Sequence, residues 1–270
     1  MSVILITGCS SGFGLGAAVA LAKHGETVVA TMRNTTKARP LQDTAAAAGV
    51  AVEVAQLDVT DPMSRERAVA NVMTKYGRID VLINNAGLCT IGAAEVLGED
   101  NLRGQFETNL FGVYALIVAV VPGMRVRRSG RIVNVSSVGA FYTAKFMMGY
   151  CASKHALDAL SVGMDLELKD FNVRVTSVAP GGFGTALSSN VAPPAVEPLY
   201  GNAPRKRYED WAAALEKRPD ISPVVEAIVE AATTTNPRLR YLVKSSSTPP
   251  PLEAIVTEKN RFDEDRRSAG

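Results

Sequence analysis

Short apolar runs rich in β-branched residues alternate along the chain with longer amphipathic or alanine-rich stretches. Residues 3–7, 27–31, 50–57, 80–83, 131–135, 173–178 and 240–243 read as strands. Between them, residues 15–23, 37–48, 62–76, 101–127, 150–169 and a segment opened by Ser222-Pro223 read as helices. Asp61 before Pro62 is a helix start with a capping carboxylate and proline at the first helical position. The strand runs are apolar at successive positions rather than at every second one, the pattern of strands covered on both faces. Strand–helix alternation with connections of this length predicts an α/β fold, one doubly wound parallel sheet flanked by helices.

No linker divides the first 180 residues, so one domain is expected over residues 1–243, with a proline- and alanine-rich loop at about 186–210. Residues 244–270 contain Ser245-Ser246-Ser247-Thr248 and three prolines and then become charged. That composition predicts a C-terminal extension that is either partly disordered or an arm reaching a neighbouring subunit.

The 47% hydrophobic content is ample for a core. With 29 Lys+Arg against 27 Asp+Glu, the chain has no broad cationic surface for nucleic acid. Cys9, Cys89 and Cys151 are odd in number and widely spaced, and only His24 and His155 could join them, so neither a metal site nor a disulfide framework is expected. Free thiols fit a reducing compartment. The longest apolar run, residues 113–121, is about half a membrane span and is closed by Pro122. These features predict a cytoplasmic protein without a membrane or nucleic-acid partner.

The first strand leads through Thr7-Gly8-Cys9-Ser10-Ser11-Gly12-Phe13-Gly14 into a helix. Glycines let such a turn approach a pyrophosphate, and the helix start offers free N–H groups to the anion. Gly8, Ser10, Ser11, Gly12, Phe13 and Gly14 are therefore candidate cofactor-binding residues. Farther along, Tyr150 and Lys154 are spaced i, i+4 and share one helix face. An ordinary tyrosine has a pKa near 10. A nearby ammonium is expected to lower it and make the phenol an acid–base group.

The glycine spacing G-x-x-x-G-x-G, with Thr7 before it, is followed in order by six further motifs. They are Asp58-Val59, Asn84-Asn85-Ala86-Gly87, Asn109 in the long helix, Ser136-Ser137, Tyr150-Cys151-Ala152-Ser153-Lys154, and Pro180-Gly181 with Thr185. Together with residues 237–242, this series resembles the short-chain dehydrogenase/reductase family over residues 1–243, leaning toward its hydroxysteroid- and retinol-dehydrogenase-like branch. The resemblance implies a Rossmann-like sheet and an oxidoreductase that interconverts a secondary alcohol and a ketone by hydride transfer with a nicotinamide cofactor. It implies that Tyr150 donates the proton, that Ser137 rather than Ser136 binds the substrate oxygen, and that Lys154 holds the nicotinamide ribose. Asn109 is implied to help connect a water relay. Asp58, Val59, Asn85, Ala86, Gly87, Pro180, Gly181 and Thr185 are implied to complete the cofactor site.

The second strand ends Ala30-Thr31-Met32-Arg33-Asn34, with no carboxylate for ribose hydroxyls, and Arg33 can pair with a 2′-phosphate. This favours NADP(H), with NAD(H) the alternative. Ser11 stands where many NADP-dependent relatives carry a basic residue. Residues 138–149 carry apolar bulk for either a greasy substrate pocket or subunit packing, and the 186–210 loop is expected to close over the substrate. Lys145, Lys206 and Arg207 offer instead to recognise an acidic group. His155 is expected to be structural. The resemblance also implies a homodimer or homotetramer joined through the helices at 101–127 and 150–169. Competing functional readings are a non-catalytic dinucleotide-binding regulator and an isomerase or dehydratase on the same scaffold, since fold alone does not fix chemistry.

Overall fold

The computed structural model describes residues 1–270 except 186, 188–190, 192–193, 195–197, 218–219, 247 and 269–270. The first half runs β1 (Val3–Ile6), α1 (Gly12–Lys23), β2 (Thr27–Met32), α2 (Arg39–Ala47), β3 (Glu53–Gln56), α3 (Pro62–Tyr76) and β4 (Val81–Asn84). The second half runs α4 (Ala94–Leu97), α5 (Glu99–Phe106), α6 (Gly112–Arg127), β5 (Gly130–Val135), α7 (Met148–Leu168) and β6 (Val173–Pro180). It closes with α8 (Ala203–Glu216), α9 (Ser222–Thr233), β7 (Arg240–Val243) and α10 (Leu252–Ser268). The seven strands form one parallel sheet in the order β3-β2-β1-β4-β5-β6-β7, the Rossmann-like doubly wound arrangement.

Side-chain alternation explains why the strand runs are continuously apolar. Ile4, Ile6 and Ile83 face α1 and α9, packing with Ala17, Leu21 and Ile228. Leu5, Leu82 and Ile132 face the other layer, against Leu116, Ile117 and Leu157. Both faces are therefore covered. β1 and β4 are neighbours, with Ile4 opposite Val81 and Ile6 opposite Ile83, so the strand order reverses between them. A crevice beyond the carboxyl ends of the strands opens at such a switch point.

Three elements depart from the pattern reading. Asn34 accepts a hydrogen bond from Thr36 N and caps a short 3-10 turn over Thr35–Lys37, so α2 begins at Arg39 rather than at Lys37. Helix α8 begins inside the segment expected to be a loop at 186–210; residues 186, 188–190, 192–193 and 195–197 of that segment lie outside those described. The C-terminal extension, expected to be loose or arm-like, folds back as α10. Leu252 and Val256 bury against Val138. Arg240, fully buried on β7, pairs with Asp158 at 2.7 and 3.0 Å and donates to Asn260 at 3.1 Å. Asp263 of α10 lies 2.8 Å from the same guanidinium, close enough for an ion pair but misaligned for a hydrogen bond.

Candidate active site

Along the carboxyl ends of the strands lies a cleft of about 820 Å³ that runs from Arg33 past the glycine loop and Tyr150 to Arg207. Its floor is set by the loops after β1 and β4. Thr7 Oγ1 accepts from the backbone N–H groups of Asn85 and Ala86, each at 3.0 Å. In return, the Asn85 side chain donates to the carbonyls of Thr7 and Gly8 at 2.9 and 3.0 Å. Asn85 thus ties the two loops together. Gly8 and Gly12 adopt left-handed backbone, with φ of 72° and 58°.

Gly14 serves packing rather than lining the cleft. A Cβ there would stand 2.4 Å from Asn85 Nδ2 and 2.5 Å from the Gly8 carbonyl. Ser11 makes no side-chain cap, so the first backbone N–H groups of α1 remain open to the cleft. An uncapped helix start on a left-handed glycine turn fits a dinucleotide pyrophosphate.

At one end of the cleft, Arg33 and Lys37 are exposed and line it. Neither forms an ion pair among the described residues. Lys37 escaped the sequence reading; it stands in the 3-10 turn that Asn34 caps. The Asp58 carboxylate borders the same end and accepts from Thr60 N and Thr60 Oγ1 at 3.0 and 2.8 Å. Val59, Ala86, Gly87, Pro180, Gly181 and Thr185 complete the lining.

Two residues beyond β5, Ser137 is in extended backbone, its Oγ accepting from Gly139 N at 3.0 Å and lining the cleft together with Tyr150. Ser136 also borders the cleft, but its Oγ is buried without a hydrogen-bond partner among the described residues. One helical turn beyond Tyr150, the buried Lys154 ammonium donates to the Val135 carbonyl at 3.0 Å and lies 5.9 Å from the Tyr150 ring centre. His155 points away, its Nδ1 2.8 Å from the Cys151 carbonyl.

Asn109 does not line the cleft. It sits fully buried in a π-helical turn, Glu107–Phe111, between α5 and α6. Its amide bonds both backbone groups of Leu88 at 2.8 Å and donates to Ser153 Oγ at 3.0 Å. Ser153 Oγ in turn donates to the Tyr150 carbonyl at 2.7 Å. Through these partners Asn109 clamps α7 to the loop after β4.

Burial within the protein opposes the priming expected of the phenol. Tyr150 keeps one edge open to the cleft, yet desolvation by its surroundings raises its pKa above the ordinary range, Cys89 adding to this and the Ser137 hydrogen bond opposing it. Burial lowers Lys154 to about 8. Loss of water outweighs the attraction between the two groups and favours the neutral form of each. Burial also raises the thiols of Cys89, to about 12, and of Cys151, which lines the cleft as a neutral group. Beyond Tyr150 the cleft continues between Tyr142, Met147, Leu187, Arg207 and Trp211.

Residues 2–195 match the family model described as short chain dehydrogenase. The chain is 36% identical over 256 residues to human retinol dehydrogenase 8, covering 88% of this chain and 79% of that protein. A short-chain dehydrogenase from Streptomyces avermitilis shares the structure with a TM-score of 0.83 and 33% identity, over 100% of this chain and 99% of that one. A variant of actinorhodin polyketide ketoreductase, solved with NADPH, is similar with a TM-score of 0.76 and 29% identity, over 92% of this chain and 97% of that one.

Proposed function

The chain belongs to the short-chain dehydrogenase family, and we propose that it is an NADP(H)-dependent oxidoreductase interconverting a secondary alcohol and a ketone, a carbonyl reductase in one direction. The observation that carries this reading is the convergence of Ser137, Tyr150 and Lys154 on the same cleft that the uncapped start of α1 lines. A regulator that only bound the dinucleotide would have no use for that convergence.

A bound nicotinamide dinucleotide supplies the hydride or its acceptor. Ser137 Oγ holds the carbonyl oxygen of the substrate. Tyr150, protonated at neutral pH because burial raises its pKa, donates its proton to the oxygen as negative charge develops there. Lys154 grips the nicotinamide ribose and, when charged, steadies the phenolate left behind. Arg33 and Lys37, with no carboxylate at the end of β2, favour a 2′-phosphate and hence NADP(H) over NAD(H). NADPH in the ketoreductase neighbour supports the same preference. Met147, Leu187 and Trp211 suit a substrate with an apolar body, in keeping with the likeness to a retinol dehydrogenase. We place the protein in the cytoplasm, as its free buried thiols suit a reducing compartment.

The test is a panel of ketones and secondary alcohols followed by nicotinamide absorbance with each coenzyme, for the unaltered chain and for Tyr150→Phe. Turnover is expected to favour NADP(H). It should fall at least about a hundredfold in the variant, the usual scale for lost acid–base help, with NADPH binding retained. Unchanged turnover in Tyr150→Phe would remove the phenol from the mechanism.

A further inference from the structure

The substrate half of the cleft carries a cation that the alcohol–ketone chemistry does not use. Arg207 projects from α8 into the lining beside Tyr142, Met147, Cys151 and Trp211. Its guanidinium has five N–H donors. Among the described residues it makes one hydrogen bond, from Nη2 to the Met147 thioether at 3.4 Å, a weak acceptor. Its Nε is buried and unpartnered, a state that costs free energy until an acceptor arrives. Lys145 lines the same half. No carboxylate of the described residues borders it; Asp58, the one acidic lining residue, lies at the opposite end beside Val59 and Thr60.

We propose that Arg207 is a substrate-specificity residue that anchors a carboxylate on the ketone or alcohol, so that the substrate is an oxo or hydroxy acid with an apolar body. The planar guanidinium fork meets both carboxylate oxygens, giving its orphaned donors the acceptors that the protein withholds. Met147, Leu187 and Trp211 then cover the carbon chain between the carboxylate and the carbonyl held at Ser137 and Tyr150. The positive field of Arg207 already reaches this wall, where it opposes the upward shifts of Tyr142 and Cys151. This assignment rests on the reductase reading of the cleft and names its substrate class.

Trp211 is the only tryptophan of the chain and lies one helical turn from Arg207, so its fluorescence reports binding without any turnover. The experiment titrates 4-oxodecanoate and its methyl ester into the protein saturated with NADP⁺, for the unaltered chain, Arg207→Gln and Arg207→Lys. The acid is expected to bind at least about tenfold tighter than the ester, the scale of a charge-assisted hydrogen bond. Arg207→Gln should bring the acid down to the ester's affinity, with Arg207→Lys between the two. Equal affinity of acid and ester in the unaltered chain, binding of neither, or an acid preference that survives Arg207→Gln would overturn the assignment. An acid bound tightly through Arg207 but not reduced with NADPH would leave the anchor standing and count against the reductase reading alone.

Discussion

Tyr150 and Lys154 show what one sequence can and cannot announce about chemistry. Their spacing fixes that they share a helix face, and the motifs around them point to their partners. Their protonation depends on burial and on neighbours such as Cys89 and Val135, which their own spacing does not reveal. The buried ammonium has a testable cost. Lys154 titrates near 8 in the folded chain against 10.5 when unperturbed. Below about pH 8 both folded and unfolded states hold the proton, and the penalty of burying it is fully present. Between about 8 and 10.5 the unfolded state binds more protons, so stability rises with pH until the penalty is gone; the whole effect is about 3 kcal/mol. Lys154→Met removes the charge but leaves the Val135 carbonyl without its donor, which takes back about 1 kcal/mol. Urea unfolding without nucleotide should therefore find the variant about 1–2 kcal/mol more stable at pH 7, with the gain shrinking by pH 10, although its turnover is lost. A variant less stable at pH 7 would contradict this account of the site.

Among the elements, β1, β2, β4, β5 and β6 were legible because burial on both faces leaves no polar alternation in their sequence. The two long helices missed, α8 and α10, fail that criterion. Along α8 only Pro204 and Leu215 are buried, and α10 buries Leu252, Val256 and Asp263 among mostly charged neighbours. Besides Leu252 and Val256, α10 is held by Arg240, buried on β7, which meets Asn260 and Asp263 of α10 and Asp158 of α7, residues far away in sequence that no local pattern connects. Docking matters to the cleft, since Pro249 lines it and Ser245 accepts from Gly182 N at 3.0 Å just before this helix. Truncating one member of a buried ion pair strands the others, typically at about 3–5 kcal/mol. Arg240→Ala is thus expected to release α10, so that limited proteolysis cuts after residue 244 under conditions that leave the unaltered chain whole. Equal resistance of the two chains would show that Leu252 and Val256 suffice to hold the helix.

On the scale of the whole molecule, the continuous helical stretch Glu99–Arg127, 29 residues long, contains an 18-residue window of mean hydropathy 1.6, enough to match a membrane span by length and composition. The fold accounts for only one side of it: Val113, Leu116, Ile117, Val120 and Met124 seal the sheet. The opposite side leaves Phe111, Tyr114 and Val118, spaced three and four residues apart on one face, each about half exposed. A row of large apolar side chains on a finished monomer marks a surface that another molecule covers. A second copy of the chain is a suitable occupant, because a formal charge of only +2 opposes self-association weakly. In sedimentation velocity the unaltered chain is expected to run as a homodimer or homotetramer. Tyr114→Glu with Val118→Arg should shift it to the monomer, because charges placed in a desolvated contact have no water to solvate them. The helix's inner face is untouched by these changes, so far-UV circular dichroism should stay native. An unaltered chain that sediments as a monomer throughout the micromolar range would show that this face serves something other than self-assembly.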